Sequence, residues 1–110
     1  MARLTKAYFS AYGENPVHKS TIQDTEKRTY SVDWNGALEG STVSGTPDWA
    51  TDDTSIIAIA SEAVSSAVST VLVTANEVGT AELSCTATLA DGRKLVQWFL
   101  ITVEDVHDLR

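Results

Sequence analysis

The sequence predicts an all-β domain, a sandwich of two packed sheets, led by an extended N-terminal arm. Three observations point there. Serine and threonine make up 25 of the 110 residues and are scattered among β-branched residues. No stretch keeps the i, i+3, i+4 apolar spacing of a long helix. Turn-forming residues recur at short intervals. A chain of this length builds its own core without metal or disulfide. Its one cysteine, Cys85, excludes an intramolecular disulfide framework.

Residues 1–27 read as the arm. They contain the turn pair Asn15-Pro16 and a polar run from His18 to Lys27. The exception is 7–12, which holds Tyr8, Phe9 and Tyr12, three of the eight aromatic residues. Such a cluster in a polar arm needs a surface to bury against.

The body, residues 28–104, reads strand by strand. From Arg28 to Trp34 the chain alternates, with Tyr30, Val32 and Trp34 on one face and Thr29, Ser31 and Asp33 on the other. Asn35-Gly36 ends that run. The stretch 40–47 allows one short strand near Thr42 and Val43. A polar loop, Thr51-Asp52-Asp53, follows Trp49. Strands are expected at 55–60 and 67–74, with turns at 61–66 and 75–80. The two strongest strands are 81–89 and 95–104, joined by Ala90-Asp91-Gly92-Arg93. Residues 105–110 form a charged tail.

Two registers are open to that last hairpin. A two-residue Asp91-Gly92 turn pairs Cys85 with Trp98. A three-residue turn closing on a left-handed Gly92 pairs Cys85 with Gln97, Leu83 with Phe99 and Ala81 with Ile101. The second is favoured, because it buries Leu95, Phe99, Ile101 and Val103, broken only by Gln97. Either way the last strand is apolar on both faces. In the favoured register Val96, Trp98 and Leu100 lie on the outer face. That Trp-centred stripe is a candidate protein interface. The alternative is that the arm, with its matching aromatics, folds back over it.

Charge is unevenly spread. Residues 31–90 hold eight acidic side chains and no Lys or Arg, while residues 1–30 are net basic. An acidic body is repelled by phosphate backbones and anionic lipid, so neither nucleic acid nor membrane is an expected partner. A basic arm on an acidic body suits docking on an acidic protein or a neighbouring copy; solubility alone is the plainer reading. The longest apolar run, Ile56–Ala60, is far short of the ~18 residues of a membrane span. The start of the chain has no signal-peptide apolar stretch, and a single cysteine suits a reducing compartment. Synthesis and folding in cytoplasm are therefore expected.

There is no G-x-S-x-G elbow, phosphate-binding glycine loop or H-E-x-x-H. His18 and His107 lack a second ligand at metal spacing. Cys85 alternates into the expected core, as a small hydrophobe. Asp48, Asp52 and Asp53 lack the EF-hand spacing and read as a solvated, turn-capping loop. No enzyme activity, cofactor or metal is expected.

Two resemblances meet in residues 28–104. The segment from Trp49 to Ile59, followed by Val78-Gly79-Thr80-Ala81-Glu82-Leu83-Ser84-Cys85-Thr86-Ala87, resembles bacterial immunoglobulin-like repeats. Tyr30-Ser31-Val32-Asp33-Trp34, Ala90-Asp91-Gly92-Arg93 and Phe99-Leu100-Ile101-Thr102-Val103 resemble small tailed-phage virion proteins of the fibre–tail adaptor type. That resemblance implies an immunoglobulin-like β-sandwich in a virion assembled in the host cytoplasm. It implies a structural protein in multi-copy contact with other virion proteins, joining tail or neck to fibres. A capsid decoration protein and a cell-surface adhesion module are the alternatives. The residues expected to bind partners are Tyr8, Phe9 and Tyr12 on the arm and Val96, Trp98 and Leu100 on the stripe. Compared with the family, the 27-residue lead is long and the outer residues of the last strand are unexpectedly apolar.

Overall fold

A computed structural model describes residues 3–8 and 17–105. It contains eight strands: β1 (Arg3–Tyr8), β2 (His18–Gln23), β3 (Lys27–Asp33), β4 (Val43–Thr51), β5 (Ile57–Ser65), β6 (Val68–Ala75), β7 (Gly79–Leu89) and β8 (Lys94–Glu104). They form two four-stranded sheets, ordered β1-β3-β6-β5 and β2-β8-β7-β4. The two sheets pack face to face, so the all-β sandwich expected from the sequence is the fold.

Alternation builds the core. Along β6 and β7 every second residue is buried, Ser69, Val71, Val73 and Ala75 on one strand and Ala81, Leu83, Cys85, Ala87 and Leu89 on the other. Phe99 sits at the centre. Its ring meets Tyr30 edge-on at 5.4 Å and stacks on Trp49 at 6.0 Å. Tyr30, Val32 and Trp34 are all fully buried, the face expected for them. Trp34 lies just past β3, before a short 3-10 helix at Asn35–Ala37. Its indole N–H donates to Ser69 Oγ at 2.8 Å, so the polar end of the buried ring is satisfied.

The β7–β8 hairpin adopts the three-residue register. Cys85 faces Gln97, Leu83 faces Phe99 and Ala81 faces Ile101. Leu89 N–H donates to Arg93 O at 2.8 Å and Gly92 N–H to Leu89 O at 2.9 Å. Gly92 has φ +95°, a backbone state that disfavours any side chain. Arg93 then braces the hairpin tip, with Nη1 on Glu39 Oε1 at 2.7 Å and Nη2 on the Leu38 carbonyl at 2.8 Å. Gln97, the polar residue in the inward set, is buried and donates to the Trp98 carbonyl at 2.8 Å.

The stretch expected as an arm supplies two strands of the sandwich. β1 pairs in parallel with β3, and β2 in parallel with β8. Ile22 is buried among the core residues. The turn after β2 is tied to both sheets: Asp24 N–H donates to Glu104 O at 2.8 Å and Thr25 N–H to Ala75 O at 3.0 Å. The boundary expected at 27/28 therefore lies within continuous sheet structure. A hydroxyl contact of 2.7 Å between Ser20 and the buried Tyr30 reinforces it. Burial holds the Tyr30 phenol above its ordinary range.

Two strands run longer than expected because a bulge carries each past its breaker residues. β4 shifts register between Ser44 and Asp48, with Gly45 at φ +68°. β5 shifts between Ala60 and Ala63, with Ser61 at φ +57°. Both strands lie at the free edge of their sheets, where bulges are common. Of the expected tail 105–110, all but Asp105 lies outside the described residues.

Candidate interaction surface

The outer face of β8 carries the stripe. Inward positions Phe99, Ile101 and Val103 are buried, so Val96, Trp98 and Leu100 point the other way. Val96 is 37% exposed and Trp98 46%, whereas Leu100 is half-buried. Across β7 they face Thr86, Ser84 and Glu82 respectively. On the other side Lys19 of β2 faces Leu100. Val17 precedes β2 by one residue and is 47% exposed, and the register carries it beside Trp98. An exposed indole with aliphatic neighbours and a polar border has the composition of an interface centre.

Val17 was not predicted from sequence. Its position beside Trp98 depends on a parallel pairing between segments about eighty residues apart, which leaves no local pattern. Tyr8 ends β1, with its backbone opposite Asp33 on the other sheet. Phe9 and Tyr12 lie outside the described residues.

The remaining candidate groups are structural. Cys85 is fully buried, and burial pushes its thiol up to about 12. At neutral pH it is a protonated thiol in the core, out of reach of a substrate. Asp53 accepts hydrogen bonds from the Ser55 hydroxyl and from Ser55 N–H, the latter at 3.0 Å, which hold its carboxyl below the ordinary range. Asp52 accepts from Glu82 N–H at 2.8 Å and pins the loop to β7. The Asp53 bonds are turn contacts, as expected for that loop, whereas the Asp52 bond reaches a distant strand. His18 stacks on Phe99 at 5.5 Å. Among the described residues no three His, Cys, Asp or Glu side chains are grouped to hold a metal, and no helix is long and apolar enough to cross a membrane.

No curated protein matches the chain. Among solved structures, Amebosin is similar at a TM-score of 0.41 and 12% identity, over 81% of this chain and 100% of that one. The cysteine protease inhibitor EhICP2 of Entamoeba histolytica is similar at a TM-score of 0.55, over 92% of this chain and 97% of that one. At 7% identity that likeness shows the fold alone. The matching family model spans residues 23–102, from the end of β2 through the Trp98 stripe, and is described as podophage GP4 fiber-tail adaptor protein gp77: the chain belongs to this family of structural fibre–tail adaptors.

Proposed function

We propose that the chain is a passive connector in a podophage-type virion, joining fibres to the tail through protein–protein contact, with no substrate turned over. The adaptor family supplies the class of partner. The observation that carries the docking site is the outer face of β8, where Val96 and Trp98 are exposed beside Val17; the other exposed large apolar residue among those described, Val78, stands apart from this group. Burying this stripe on a partner would remove apolar surface from water at about 25 cal/mol per Å2. The centre of the patch is an indole, the side chain most often dominant at such interfaces. Tyr8, Phe9 and Tyr12 are the second contact, engaging a neighbouring virion protein or another copy. Multi-copy incorporation, during particle assembly in the host cytoplasm, follows from the same reading.

The test is reconstitution of tails lacking this protein with added chain and fibres. The wild type should restore fibre attachment, seen by electron microscopy or co-sedimentation. Trp98→Ser and Val96→Ser together should abolish it while the domain stays folded. Full attachment by that double variant would remove the stripe from the docking site. Failure of the wild type to bind either tail or fibre would remove the adaptor role.

A further inference from the structure

Opposite edges of the sandwich carry opposite charge. β1 and β2 are outermost at one side of the two sheets, and β5 and β4 at the other. The sequence of β1 brings Arg3 and Lys6, that of β2 brings Lys19, and neither strand has an acidic residue. β4 brings Asp48 and β5 brings Glu62, with no basic residue on either. Lys19, Asp48 and Glu62 are all exposed. Glu62 also accepts a 3.4 Å hydrogen bond from Trp49 N–H, which joins the two acidic edges into one side.

We infer that this chain docks side to side with a second copy of itself, the β1–β2 edge of one against the β4–β5 edge of the next. The inference extends the multi-copy part of the proposed function and rests on edges and charge; its basic edge adjoins the stripe, since Lys19 faces Leu100. Charge selects the mode. Joining two like edges would set Glu62 against Glu62, or Lys19 against Lys19. Joining unlike edges sets Lys19 towards Glu62 and Asp48. A head-to-tail contact of this kind leaves one free edge at each end, so it repeats, and it closes into a ring where the rotation allows. The bulges at 60–63 and 44–48 break the acidic edges into short pieces. A long shared backbone ladder is therefore disfavoured, and side-chain charge carries the contact.

Sedimentation velocity on the full chain, over a concentration series in low salt, tests this. The wild type should associate, and salt near 1 M, where the screening length is only ~3 Å, should reverse it. Lys19→Glu and Glu62→Lys, both at exposed positions, should each weaken self-association roughly tenfold or more. Each variant then sets like charge against like where positions 19 and 62 meet. An equimolar mixture of the two should regain the association that either lacks alone, because every edge again finds its opposite. Thermal melts of both variants establish that each is folded. A wild type that stays monomeric in low salt would overturn the inference, as would a mixture that associates no better than its components. A wild type that stays monomeric yet attaches fibres would sink the copy contact and leave the adaptor reading standing.

Discussion

Phe99 and Trp98 are neighbours on β8 with opposite surroundings. Phe99 has no exposed surface and sits among Tyr30, Trp49 and His18. Trp98 is nearly half exposed and faces Ser84 across the hairpin. Both are large aromatics on one strand, so composition does not separate them. Register does: a shift of one residue in the turn would exchange their roles. The strand therefore serves as core on one face and as an available surface on the other. Substitutions can test each face separately.

The largest effect is expected at the inner face. Phe99→Ala removes a ring packed against three others and leaves a cavity, costing about 3–5 kcal/mol. Urea unfolding at neutral pH should show either a midpoint far below wild type or an unfolded chain. A loss below 1 kcal/mol would mean that Phe99 is not the centre of the core.

Next is the buried thiol, also inner-face. Its ordinary value is 9.0, and in the fold burial pushes it up to about 12. Below pH 9 both states keep the proton and the group is neutral to stability. Between about 9 and 12 the unfolded chain releases the proton while the fold retains it. Folding therefore weakens as pH rises, at up to about 1.4 kcal/mol per pH unit from this group. Urea midpoints between pH 8 and 11 should fall more steeply for wild type than for Cys85→Ala, whatever the variant loses at neutral pH. Parallel curves would show that Cys85 titrates normally.

A smaller effect joins β2 to the core. Tyr30→Phe removes the hydroxyl that contacts Ser20 Oγ at 2.7 Å. Ser20 keeps Arg28 Nη1 at 3.3 Å as a partner. The expected loss is about 1 kcal/mol. Hydrogen exchange should quicken at the β2 amides more than at β7. Uniform quickening would assign the bond to global stability instead.

This division of labour was partly legible in the sequence. The β7–β8 register followed from Asp91-Gly92 and the alternation on each side, because a hairpin is a local event. The same pattern left Val96, Trp98 and Leu100 on the outside. The roles of β1 and β2 were not legible. Their partners β3 and β8 are far away or parallel in direction, so no turn announces the pairing, and in β2 only Ile22 is fully buried. The stretch 40–47 allowed only one short strand near Thr42 and Val43, yet Gly45 and Pro47 lie within a bulged strand, and Ser61, expected in a turn, lies in the bulge of β5. Bulges admit such residues by giving up regular pairing. The exposed neighbour Val17 could be placed only once β2 had been put beside β8.

The smallest stability effect is expected from Trp98→Ser, which makes it the sharpest test of the two faces. An exposed ring contributes little to the core, and the cost is the poorer fit of serine to a strand, at most about 1 kcal/mol. The melting temperature should drop by only a few degrees, while fibre attachment should fall most among these variants relative to lost stability. Partial exposure makes this a strict test, since the covered part of the ring adds some packing to the fold. If Trp98→Ser melts as low as Phe99→Ala, the outer face belongs to the folding unit and the two sides of β8 are not separable. If it melts like wild type and still attaches fibres, the face is separable and the partner binds elsewhere, which would leave the arm residues Tyr8, Phe9 and Tyr12 as the remaining proposed contact.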